Sequence, residues 1–206
     1  MQVKTVHRIT GIIIAVFTGL HLFNHLCSIA GAEKHIEMMT LLRKMYRNIF
    51  AETILLASIL VQITSGIKLF RAKRLYVKTA FEKLQIWTGL YLAFFLVIHL
   101  AAVLAARQFL QLDTNFYFGV AGINTFPFNL FFIPYYGLAV FSVFGHIAAV
   151  HSQKMRWPVF GITPATQGKI ILVVGVLLTL ILFYGFTNGF RGVEIPGSYA
   201  IPGSFI

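Results

Sequence analysis

Five long apolar runs alternate with short polar segments along the chain: Ile9–Ile29, Phe50–Phe70, Ile86–Ala106, Phe128–Val150 and Ile170–Gly189. Each reaches the ~20 apolar residues that a helix needs to cross the hydrocarbon core of a bilayer. The pattern predicts an all-α fold, an integral membrane bundle of five transmembrane helices in one domain over residues 1–206. Between the first two runs, Ile36, Met39, Leu42 and Met45–Tyr46 recur at helical spacing, which predicts an interfacial helix over 33–47. The segment QFLQLDTNFYFGVAGINTFPFN is rich in Phe, Tyr, Gly and Asn and suits an ordered cap at the lipid interface. HSQKMRWPVFGITPATQGK holds two prolines and is not one helix. The tail repeats IPGS, which is turn chemistry at the surface.

Composition agrees with this pattern. The sequence is 58% hydrophobic and 11% charged, against about a quarter charged in ordinary soluble domains. The first run is longer than a signal-peptide core, carries two histidines and lacks a convincing cleavage site, so it is expected in the mature protein. Cys27 is the only cysteine, which excludes an internal disulfide and any cysteine-held metal cluster.

Charge adds an orientation. Of the 17 Lys and Arg residues, eleven fall on the side of the N-terminus and six on the other. The positive-inside rule therefore predicts a cytoplasmic N-terminus. The formal net charge of +11 flanks membrane spans, so it points to anionic lipid or an acidic soluble partner and not to nucleic acid. No phosphate-binding glycine loop or hydrolase motif is present, and the six acidic residues all fall at interfaces or in loops. A carboxylate array at mid-membrane, as in many proton-coupled transporters, is therefore excluded.

What remains inside the predicted spans is histidine. TGIIIAVFTGLHL at Thr10–Leu22 and TGLYLAFFLVIHL at Thr88–Leu100 each place a histidine ten residues after the glycine, at His21 and His99. Both spans run in the same direction, and both histidines lie roughly 20–24 Å along their helices. Parallel neighbours could present two neutral imidazoles to one haem iron, an arrangement suited to electron transfer. The alternative is a neutral histidine hydrogen-bonded to a serine or backbone carbonyl of a neighbouring helix. Gly11, Thr18, Gly19, Gly89 and Ala93 are small enough to let a flat macrocycle approach, although small residues also serve ordinary helix packing.

His146 on the fourth span lies ~12 Å from its cytoplasmic end, on the inner side. No histidine stands at the matching depth on the second span, where Gln62, Thr64 and Ser65 could hydrogen-bond His146. His25, one turn beyond His21 and next to Asn24, reads as an interfacial or supporting residue that could replace His21 as a ligand.

The order HRITG at His7–Gly11, then a histidine late in the first and third spans, resembles the five-helix cytochrome b subunit of succinate dehydrogenases and fumarate reductases. LQIWTGLYLAFFLVIHLAAVL resembles that family's third helix and VFSVFGHIAAVHSQKMRW its fourth. The likeness runs from about Lys4 to Trp157. It implies a membrane anchor for flavoprotein and iron-sulfur subunits on the cytoplasmic face of a bacterial inner membrane, exchanging electrons with quinone and without catalytic activity of its own. It also implies haem b, with His21 and His99 as the outer axial pair and His146 as the inner helix-four ligand. The inner helix-two ligand is missing from this sequence. His7 and Arg8 become candidates for contact with quinone or a haem propionate. A cytochrome b anchor of another dehydrogenase or a hydrogenase, or a haem-free membrane accessory subunit, fits the same residues.

Overall fold

A computed structural model describes residues 2–201. Seven α-helices form it: α1 (Gln2–Leu26), α2 (Ala32–Tyr46), α3 (Ile49–Lys73), α4 (Ala80–Gln108), α5 (Phe116–Asn124), α6 (Asn129–Lys154) and α7 (Pro164–Phe186). There is no strand among the described residues beyond one isolated bridge, Val159 with Ile162. Five helices (α1, α3, α4, α6 and α7) are long and apolar enough to cross a membrane. The chain is a multi-pass membrane protein whose apolar flanks meet lipid.

The spans begin and end where capping chemistry places them, not where hydropathy changes. α4 starts at Ala80, ahead of the apolar run, because Thr79 and Glu82 form a capping box there. Asn48 caps α3 through Ala51 N–H. Thr163 accepts from Thr166 N–H, and Pro164 sits in the first turn of α7, where its missing N–H costs nothing. α7 ends at Phe186, earlier than expected, and Gly189 with φ 67° turns the chain away. α1 extends back to Gln2 because the polar segment before Ile9 still closes helical hydrogen bonds at no loss in water.

α2 spans the helix expected over 33–47, and α5 lies within the segment rich in Phe, Tyr, Gly and Asn. α2 buries His35, Met39 and Leu42, while Met45, expected on that face, is 62% exposed. α5 buries Phe116, Val120, Ala121 and Ile123. In the tail, Val193 N–H donates to Asn124 Oδ1; most of the second IPGS lies outside the described residues.

The long helices pack in the cyclic order α1, α3, α4, α6, α7 and back to α1. The α6–α7 side is tight, with Gly168, Gly175, Ala148 and Ala149 buried so that the backbones approach closely. The other side of the ring is loose. No residue of α1 before Asn24 is buried, and none of α4 between Gly89 and Ala105. α1 and α4 do not pack along their lengths, so only long side chains reach across from one to the other.

A candidate paired-histidine centre

His21 on α1 and His99 on α4 reach across that loose side. Their ring centroids are 6.2 Å apart with an interplanar angle of 69°. Each ring stacks on a phenylalanine one turn earlier on its own helix. Phe17 and His21 lie 5.6 Å apart at 16°, and Phe95 and His99 lie 5.0 Å apart at 14°. The i, i+4 spacing puts both partners on one helical face, so each imidazole is held by an aromatic plate. From α6, Tyr136 meets His99 edge-on at 6.4 Å.

Hydrogen bonding then separates the two histidines. His99 makes no hydrogen bond to any described residue. His21 Nε2 lies 3.0 Å from His25 Nε2. His25 Nδ1 lies 3.0 Å from His35 Nε2, which Asn24 Nδ2 also approaches at 3.2 Å. A row of histidines therefore runs from His21, late in α1, out to α2. Asn24 is 4% and His35 2% exposed, and Asn24 Oδ1 and His35 Nδ1 remain unpartnered at its end.

His25 thus bridges His21 and His35. His35 falls in the helix predicted over 33–47, outside the five apolar runs, and the repeated glycine-to-histidine spacing gives it no role. A signal for it does exist: it precedes Met39 by four residues and Leu42 by seven, on the buried face of α2. Burial, with the Arg43 guanidinium second, pushes the His35 pKa down to about 4 from its ordinary 6.5. The unfolded chain then takes up a proton first as pH falls, so stability is full above pH 6.5 and is lost as pH falls towards 4. His35→Ala, which leaves His25 Nδ1 and Asn24 Nδ2 without their partner, is expected to cost about 1–3 kcal/mol at neutral pH. It should also remove part of the acid-side loss. Thermal unfolding in detergent across this pH range checks both effects.

Two neutral imidazoles are donors of the kind that could hold one metal, and bonds of about 2 Å to each would be compatible with the 6.2 Å between the His21 and His99 ring centroids. Among the described residues no group of three or more His, Cys, Asp or Glu is arranged to hold a metal ion, so this place offers a pair and not a cage. His21 Nε2 is directed at His25, so metal binding there would exchange that hydrogen bond for the metal. His25 would retain His35.

The side nearer the N-terminus is organised differently from expectation. Gln62 and Ser65 do not serve His146; they serve His7, with Ser65 Oγ 2.8 Å from His7 Nδ1 and Gln62 Nε2 3.2 Å from His7 Nε2. Thr10 Oγ1 donates to Gln62 Oε1 at 2.6 Å, and Thr64 bonds back into its own helix. Gln62 and Ser65 are thus used within an α1–α3 contact. His146 Nδ1 donates to Gln85 O at 3.1 Å, with Thr88 Oγ1 3.5 Å away. That leaves the His146 Nε2 lone pair free, with no histidine on α3 to join it.

Gly11 and Gly89 also belong to this side. A Cβ at Gly11 would lie 3.2 Å from the Gln62 amide, and one at Gly89 3.1 Å from His146 Cε1. Each glycine is ten residues, about 15 Å, from the histidine of its motif. They cannot cushion a group held between His21 and His99. At Gly19 a Cβ would meet nothing within 4 Å. Arg8 is exposed, one residue from His7.

Compared with known proteins, the chain matches no family model, no curated protein and no solved structure.

Proposed function

We propose that the chain is a haem b-binding membrane anchor subunit of a succinate:quinone or quinol:fumarate oxidoreductase. It would sit in a bacterial inner membrane with the N-terminus cytoplasmic. Its partners there would be flavoprotein and iron-sulfur subunits, and quinone the substrate in the membrane. The observation that carries this reading is His99, an imidazole late in its span with no hydrogen-bond partner among the described residues and with His21 facing it at 6.2 Å. An unpaired polar ring in hydrocarbon is costly, and a metal bond satisfies it.

In this reading His21 and His99 hold the iron, and Phe17, Phe95 and Tyr136 fix the planes of the two rings and keep water out. Haem bound there supplies one-electron transfer with no open coordination position. His25 and His35 link the His21 end to α2. For a second haem the residues do not fit: His146 presents a free Nε2, but Gln62 and Ser65 on α3 are engaged by His7. One haem is the count this chain supports.

A second reading draws on the His21–His25–His35 row. Those hydrogen bonds satisfy His21 without any cofactor, as in a haem-free accessory subunit. A reduced-minus-oxidised spectrum of the protein, purified after expression with ample haem, separates the two. The first reading expects b-type bands; their absence supports the second. Copurifying flavin and iron-sulfur subunits would distinguish the proposed complex from a cytochrome b anchor serving another dehydrogenase or a hydrogenase.

A further inference from the structure

Away from the histidines, a groove of about 580 Å³ opens between α3 and α4, lined by Ile67, Phe70, Arg71, Arg74 and Leu90. Ile67 lies six residues before the end of α3 and Leu90 ten past the start of α4. The apolar walls thus extend about 9–15 Å from the helix ends into the span, while the arginines stand at the mouth. Trp87, 61% exposed, meets Phe70 edge-on at 5.6 Å and prolongs the apolar wall towards the interface.

Among the described residues the cations at the mouth have no acidic partner. The ion pairs among the described residues are Lys34–Glu37, Arg43–Asp113 and Arg107–Glu52, all at the opposite end of the bundle. Neither the Arg71 nor the Arg74 guanidinium bonds to any described residue. Glu82 is the one acidic residue on this side, and its carboxylate is turned into the cap of α4, accepting from Lys78 and Thr79 N–H. No described residue supplies an anion that would neutralise this mouth.

We infer that this groove is a binding site for an anionic phospholipid, its phosphate on Arg71 and Arg74 and an acyl chain along Ile67, Phe70 and Leu90. Basic pockets between membrane helices favour such head groups at roughly 1 kcal/mol for each cation. A neutral quinone brings no charge to the arginines. An acidic soluble segment meets them but cannot fill an apolar floor that faces the bilayer. The site stands whether or not the chain carries haem.

The test uses the full chain, purified in neutral detergent and offered phosphatidylglycerol or phosphatidylcholine of the same acyl chains, with bound lipid counted by native mass spectrometry. The wild type should retain phosphatidylglycerol in preference. Arg71→Gln with Arg74→Gln should lose that preference by about tenfold or more. Lys154→Gln with Arg156→Gln, on the same side but outside the groove, should keep it. Leu90→Trp, which fills the floor and leaves both arginines, should also lose it, and so covers the case in which the double arginine variant does not fold. Equal retention of the two lipids, equal loss in the Lys154/Arg156 control, or displacement by millimolar inorganic phosphate alone would overturn the assignment. So would an acidic partner protein that competes only at the arginines and leaves Leu90→Trp unaffected.

Discussion

His99→Ala should abolish the b-type absorption of the purified protein, taking the haem content from about one per chain to near zero. The ring has no other partner to lose: it touches Phe95, Tyr136 and His21 through its faces and edges only. A variant that lacks it should therefore fold, and helicity and elution volume in detergent should stay at wild-type values. His21→Ala should give the same spectral loss and, by freeing His25 Nε2, some loss of stability. His146→Ala should keep the bands, because its Nδ1 bond to Gln85 O serves the α4–α6 contact and no histidine faces it from α3. His25→Ala decides between the two helix-one candidates: bands kept assign the iron to His21, and bands lost assign it to His25. If His99→Ala keeps a full complement of haem, the paired-histidine centre is wrong. If the wild type binds none, the whole haem reading is wrong.

Gly185→Val should be the most damaging of the glycine substitutions. A Cβ there would fall on Ser28 Oγ and lie 3.0 Å from Ile29 N and 3.1 Å from Ser28 C. Two of these neighbours are backbone, in the short 3-10 turn that follows α1, and they cannot swing aside as a side chain can. Overpacking of this kind costs about 3 kcal/mol at the upper end of the usual range. It reaches the candidate site too, because Ser28 Oγ donates to His25 O at 2.6 Å and Phe186 lies edge-on to His25 at 5.0 Å. Gly19→Ala is the matched control, since nothing lies within 4 Å of that Cβ. It should leave the unfolding temperature unchanged or slightly raised. The two unfolding curves, measured in one detergent, test the contrast.

The five spans were legible because crossing a bilayer imposes a length and a composition that no other element of this chain meets. Their ends were less so. Thr79 and Thr163 move two helix starts well ahead of the apolar runs through side-chain caps that hydropathy does not register. The equal depth of His21 and His99 on parallel helices was a property of spacing alone; that their rings face one another at 6.2 Å also took helix rotation and packing. His35 lies on a helix whose apolar spacing was legible, but its burial depends on how α2 folds back over the ends of α1 and α3.

By itself, then, the sequence determined the all-α bundle, the side on which the cations gather and the depth of each histidine, since rise per residue and hydrophobic length are local quantities. Only the tertiary structure decided what each polar group pairs with. It gave Gln62 and Ser65 to His7, joined His25 to His35, left His99 with no partner and opened a groove between Arg71, Arg74 and Leu90. The physical reason is that depth fixes position along a helix but not rotation about it or the choice of neighbour. Those are settled by which helices pack closely, and here the small residues of α6 and α7 draw one side of the ring together and leave α1 and α4 apart.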